Sequence, residues 1–210
     1  IMGRSDELKN LIDLERQRWQ SLNIAYQEQK KAVNLLRGEL ASNEQQIQRM
    51  QNDEQELLRL IEKLQEILDE LLEEEKTTTS FRSLKGSLQM PVDAKVIVRF
   101  GSQRKIGNLR WKGVVLAGQL GSDIHAVYAG RVVYADWMRG FGLLLIIDHG
   151  DSYLSLYGQN ESILVEEGDW VGTGQTIATM GKSGGSSSPS LYFEIRYKGK
   201  PQNPLLWTRR

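Results

Sequence analysis

The sequence predicts a two-part chain: a long coiled-coil helix or helices, then a compact, mostly antiparallel β domain. Three observations predict this α plus mainly β class. A single 4-3 spacing of apolar residues runs without a skip from Leu8 to Leu71. Beyond Pro91 the texture changes to short apolar runs broken by glycine-rich turns. The charge divides at the same place: residues 1–80 carry a balance of −6 and residues 81–210 a balance of +6.

The heptad comes first in the chain. Its a positions are Ile12, Trp19, Tyr26, Val33, Leu40, Ile47, Glu54, Ile61 and Leu68; its d positions are Leu8, Glu15, Leu22, Gln29, Leu36, Asn43, Met50, Leu57, Leu64 and Leu71. Fifteen of these nineteen are apolar and no proline interrupts them, a pattern sustained well beyond four heptads. Glu15, Gln29, Asn43 and Glu54 weaken the seam and are expected to fix its register. The spacing leaves open whether the helix runs straight, pairs with another or folds back; Ser42-Asn43, close to Gly38, is the expected hairpin point. The segment reads equally as a spacer or dimeriser and as a regulatory element, since heptads specify pairing and not purpose.

Thr77-Thr78-Thr79-Ser80 ends the helical composition, because three β-branched residues followed by serine favour a break. The sequence thus divides into 1–5, expected to be a cloning scar; 6–78, coiled coil; 79–91, linker; and 92–210, the β domain. The runs KVIVRF, VVLAG, AVYAGRVVYA, GLLLIIDHG, YLSLYG, TIATMG and SLYFEIRY supply strands, and the glycines between them supply turns with positive φ.

Composition excludes several classes. There is no cysteine, so no disulfide and no thiolate metal site forms. No run of about 18 apolar residues appears, so no spanning helix is expected. The basic residues are scattered without a stacked aromatic platform, which argues against nucleic acid. The chain is expected to start partway along a longer protein whose targeting signal lies upstream. Of the two histidines, His149 ends an apolar strand in IIDHG and His125 lies in SDIHAV. Both read as histidines satisfied by hydrogen bonds rather than as ligands, and Asp148 and Asp151 read as turn formers.

The blocks GRVVYADWMRGFGLLLIIDHGDSYLSLYG, VEEGDWVGTGQTIATMGKSGG and SLYFEIRYKGKPQNP, in that order, resemble the LytM (lysostaphin-like) zinc peptidase domain over roughly residues 92–210. More narrowly, a coiled coil followed by RWKG and SLYFEIR resembles the murein hydrolase activators of Gram-negative bacteria. The resemblance implies a groove on the sheet where active members hold zinc. It also implies which positions held the ligands. Trp111 stands where the first ligand histidine would be and Val115 where the aspartate would be. Ser190 and Tyr192 stand at the histidines of the H-x-H strand, and Gln159 at the remaining catalytic histidine.

A catalytic zinc needs three protein ligands and an open position for water, whose pKa it lowers. Tryptophan and valine cannot coordinate, and tyrosine does so only as phenolate, at a pKa near ~10. No cofactor and no peptidase activity are therefore expected. Trp111, Val115, Tyr192 and Phe141 are expected to give the groove an aromatic-aliphatic centre, with Lys112 and Arg196 at its edge, as in a protein-binding hot spot. Val115, Trp111 and Phe141 also read as plain core residues.

The resemblance implies a non-catalytic activator of periplasmic N-acetylmuramoyl-L-alanine amidases, acting at the division septum, with the coiled coil docking on the FtsEX complex. The opposite charges of the two parts suggest that the helical part, or residues 77–91, covers the groove at rest. The alternatives are a peptidoglycan-binding scaffold without activation, a residual metallopeptidase, and a periplasmic adaptor. The last rests on VEEGDWVGTGQTIATMG, which looks like half of a lipoyl domain. In adaptors, though, the two halves flank the coil.

Overall fold

Heptad spacing becomes helix without interruption: α1 runs over Met2–Leu71. It passes through Gly38 and Ser42-Asn43 with no hairpin there. The computed structural model describes the backbone of residues 2–71, 80–104 and 107–209, and the side chains of 14–67, 80–104 and 107–209. The heptad side chains of Leu8, Ile12, Leu68 and Leu71, and the helix-ending threonines 77–79, lie outside the described residues.

The chain divides into two units, 1–48 and 49–210. In the first, the apolar heptad residues stand in the open: Trp19 is 69% exposed, and Leu22, Tyr26, Leu36 and Leu40 are exposed as well. The second unit joins the last part of α1 to the β strands. This differs from the division drawn from the sequence, which left all of 6–78 to the coil.

The strands are β1 (Lys95–Val98), β2 (Val114–Ala117), β3 (Asp123–His125), β4 (Gly130–Met138), β5 (Gly142–Asp148), β6 (Tyr153–Ile163), β7 (Trp170–Val171), β8 (Thr176–Met180), β9 (Ser190–Tyr197) and β10 (Lys200–Gln202). They form one sheet in the order β1-β2-β9-β6-β5-β4-β7, with β10 on β9 and with β8 joining β3 to β6. Every pairing between named strands is antiparallel.

Strand alternation sorts side chains onto two faces. Leu145, Ile147, Tyr157, Leu191, Phe193 and Ile195 join one core. Their strand neighbours Leu144, Ile146, Leu154, Leu156, Val115 and Tyr192 join a second core on the other face. Both faces are covered, which is why GLLLIID reads as a continuous apolar run rather than an alternating one.

The segment assigned to a linker, 79–91, is instead partly core. Phe81 is fully buried, and Leu88 is buried beside it in the first core. Phe81 stacks on His149 at 4.7 Å between centroids and meets Tyr153 and Trp207, each at 5.1 Å. Leu88 forms a parallel bridge with Thr208, and the Ser80 hydroxyl donates to Asp151 at 2.7 Å. Phe81, Leu84, Leu88 and Met90 stand singly among serines, basic residues and a glycine, in a stretch too short for its pattern to announce the plug.

His149 is held on both ring nitrogens. Nδ1 lies 2.9 Å from the Ala129 carbonyl and so donates to it; Nε2 lies 2.7 Å from the Ser155 hydroxyl. Burial pushes its pKa down to about 4, against a smaller upward pull from the Ala129 hydrogen bond. An unfolded histidine titrates near ~6.5. As pH falls below that value, the unfolded chain takes up a proton that the folded chain refuses. Stability is full above about 6.5 and falls until about pH 4, by about 3 kcal/mol in total. Urea titrations at pH 7.5 and 5 are expected to show this slope, and a His149→Gln chain, with no titrating ring there, is expected to lose it.

Candidate functional site

Strand parity builds the groove. On β9, Ser190, Tyr192, Glu194 and Arg196 share one face. β2 pairs alongside and sets Val115 opposite Tyr192. Trp111, just before β2, lies 6.2 Å from the Tyr192 ring between centroids, and Phe141, in the turn from β4 to β5, lies 5.5 Å from it. Gln159 enters from β6, and its carboxamide oxygen accepts from the Ser190 hydroxyl at 2.8 Å. The eight residues singled out from the sequence all line one cavity of about 600 Å³.

Two of the polar residues therefore satisfy each other. Gln159 adopts φ 68°, a left-handed conformation uncommon for a side-chain-bearing residue, and its N–H donates to the Phe141 carbonyl at 2.7 Å. That turn is itself clamped from outside. The Leu143 N–H donates to the Ser183 hydroxyl at 3.1 Å, and Ser183 donates to the Asn160 carbonyl at 2.8 Å. The clamp holds Phe141 against the groove.

Tyr192 is buried, and its hydroxyl donates to the Glu194 carboxylate. Burial first, then the charge of Glu194, pushes its pKa well above the ordinary value, so it remains a phenol at neutral pH. Glu194 is also held by the Arg196 guanidinium, Nε to Oε1 at 2.6 Å. Burial raises the Glu194 pKa, and the Arg196 charge pulls it back.

Arg196 corrects an expectation. It is not a rim cation: only 1% of its surface is exposed, and beyond Glu194 it donates to the Gly199 carbonyl at 3.2 Å. Its charge is spent inside the wall. The half-exposed Lys112 does lie at an edge, and two further arginines join it that the sequence pattern did not single out. Arg104 lies over the Trp111 ring at 4.2 Å, and Arg139 stands on the turn beside Phe141.

The groove is covered by the chain itself. Leu57 and Ile61 of α1, each 1% exposed, and Leu64 pack with Val115, Phe141 and Tyr192 in the second core. One turn earlier, Asp53 accepts from Arg139 at 2.6 Å, and Glu54 lies 3.5 Å from Lys112. Glu54, a polar exception in the heptad, thus faces a cation rather than another helix. Gly140 makes room for this contact: its φ is 81°, and a Cβ there would sit 2.6 Å from the Asp53 carboxylate.

The donor set does not fit a zinc ion. An indole, an isopropyl group and a buried phenol supply no ligand at neutral pH, and the Ser190 hydroxyl is engaged by Gln159, the Ser186 hydroxyl and the Ser188 carbonyl. Among the described residues, no three His, Asp or Glu side chains converge, and no helix is long and apolar enough to cross a membrane.

Residues 109–204 match the model of Peptidase family M23. The chain is 45% identical over 126 residues to the murein hydrolase activator EnvC of Escherichia coli (strain K12), covering 60% of this chain and 30% of that protein. It is 48% identical over 130 residues to the murein hydrolase activator NlpD of Salmonella dublin, covering 61% of this chain and 33% of that one. The chain thus spans about a third of the length of these relatives. A zinc-containing peptidase from Vibrio cholerae shares the fold, with TM-score 0.54 at 24% identity over 58% of this chain and 40% of that one. The relatives at higher identity are named as activators of hydrolases rather than as hydrolases.

Proposed function

We propose that this chain is a non-catalytic activator of a peptidoglycan hydrolase of the N-acetylmuramoyl-L-alanine amidase class, working in the periplasm during septal wall splitting. Its groove binds the hydrolase, and α1 gates the groove. One observation carries the reading. The positions that would hold a metal form an apolar, aromatic site with cationic edges, and a segment of the same chain already occupies it as a protein partner would. Buried aromatic anchors ringed by charge are what protein–protein hot spots are made of. The names of the relatives support a hydrolase as the partner. The coiled coil is then the input, docking on the FtsEX complex at the septum.

The gate needs on the order of 5 kcal/mol of differential binding to pass from mostly closed to mostly open. Burying Leu57 and Ile61 contributes about 1.5–3 kcal/mol each. Replacing both with aspartate therefore opens the groove without touching its walls. The double variant Leu57→Asp/Ile61→Asp is expected to stimulate a purified amidase on isolated sacculi several-fold more than the unaltered chain. Adding Tyr192→Ala to it is expected to abolish the gain while circular dichroism stays unchanged. Equal stimulation by the double variant and the unaltered chain removes the gate. Stimulation that survives Tyr192→Ala moves the binding surface elsewhere. Sacculus binding without any amidase would instead favour the scaffold reading.

A further inference from the structure

The face of the sheet away from the groove carries a charge pattern of its own. Two segments distant in sequence, 80–90 and 197–209, meet there. Leu88 bridges Thr208, and the Gly86 and Leu88 N–H groups both donate to the Trp207 carbonyl, at 2.9 and 3.1 Å. Together the segments hold Arg82, Lys85, Lys198, Lys200 and Arg209, all exposed, and no aspartate or glutamate. A row of rings ties them together. Lys85 Nζ lies 5.7 Å from the centroid of Trp207, and Lys198 Nζ 5.6 Å from that of Tyr197. Tyr153 links the two rings, 5.2 Å from Trp207 and 4.5 Å from Tyr197. Lys200 pairs across from Tyr197 and so shares its side of the sheet. Arg82 follows Phe81, whose ring meets both Tyr153 and Trp207. Asp151, just before Tyr153 in the chain, already accepts from Ser80.

We propose that this strip of cations is a docking surface for a membrane of anionic phospholipid. The cations are spread along a row of exposed side chains, which suits a continuous layer of negative headgroups, and each cation held near such a layer adds to binding. Leu206, 58% exposed, stands next to Trp207 and offers an apolar side chain to the boundary between headgroups and acyl chains. A glycan strand would instead need an open aromatic face to stack on, and Tyr153 and Trp207 are buried. Tyr153, Tyr197 and Trp207 all pack with the first core, whereas the groove lies on the side of the second. A membrane held at the strip therefore leaves the groove turned away from lipid. The inference goes beyond the activator reading and does not rest on it.

The test is co-sedimentation of the full chain with lipid vesicles. Vesicles of phosphatidylglycerol and phosphatidylethanolamine are expected to bind it at low salt and to release most of it at about 1 M salt, where screening is nearly complete. Phosphatidylcholine vesicles are expected not to bind it. Lys85→Glu/Lys198→Glu is expected to weaken binding about thirtyfold or more. The milder Lys85→Gln/Lys198→Gln is expected to lose less, with urea midpoints like those of the unaltered chain showing that the fold is kept. Lys95→Glu/Arg99→Glu makes the same change of net charge at exposed positions on and just after β1, and is expected to weaken binding by no more than about threefold. No binding to the anionic vesicles, equal binding to both kinds, an equal loss in the second glutamate pair, or retention on isolated sacculi in place of vesicles would each overturn the proposal. No hydrolase enters the assay and no groove residue is altered, so its failure is separable from failure of the amidase reading.

Discussion

Replacing Phe81 with alanine is expected to destabilise the chain by about 3–5 kcal/mol, the cost of emptying a fully enclosed aromatic site. That is a large share of the roughly 5–15 kcal/mol that a domain commands. The ring is enclosed by His149, Tyr153, Trp207 and Tyr128, and such a socket collapses poorly because each ring is held by its own backbone. Urea unfolding read by tryptophan fluorescence should show the midpoint shift, with Phe81→Leu losing less. A shift below about 1 kcal/mol would mean that the plug is dispensable. The same cavity governs truncation. A chain that begins at Val92 lacks Phe81 and Leu88, whereas one that begins at Ser80 keeps both.

Arg196→Leu is expected to cost a comparable 3–5 kcal/mol, about the price of stranding a buried carboxylate. Among the described residues, the guanidinium is the one cation in an ion pair with Glu194, and both groups are buried. With Arg196 gone, only the hydrogen bond from Tyr192 is left to oppose the rise that burial gives the Glu194 pKa. The folded state then prefers the protonated acid, so the deficit is expected to shrink as pH falls, opposite in sign to the His149 effect. The double variant Glu194→Leu/Arg196→Leu is expected to recover much of the loss, because no unpaired charge remains. Denaturant midpoints at two pH values check all three statements. A single variant as stable as the parent would mean that water reaches Glu194.

How far the sequence carried depended on the range of the signal. Antiparallel strands and the long helix follow from periodicities of 2 and 3.6 residues, and both formed. Strand parity also puts Arg196 on the face of Tyr192, so its membership of the groove wall was legible. Its burial was not, because that depends on its partners, Glu194 and the Gly199 carbonyl. Likewise the heptad marked Leu57, Ile61 and Leu64 as an apolar stripe but carries no information about what the stripe meets. Arg104 and Arg139 were missed for a related reason: each acquires meaning only through a contact, with Trp111 and Asp53, that sequence distance conceals.

Because the helix seals a whole apolar face of the sheet, an opened molecule is an adhesive one. Val115, Phe141 and Tyr192 would meet solvent together, as the kind of patch that drives clumping when no client is at hand. The cover thus protects solubility, and a variant in which it is displaced should need a detergent to stay dispersed.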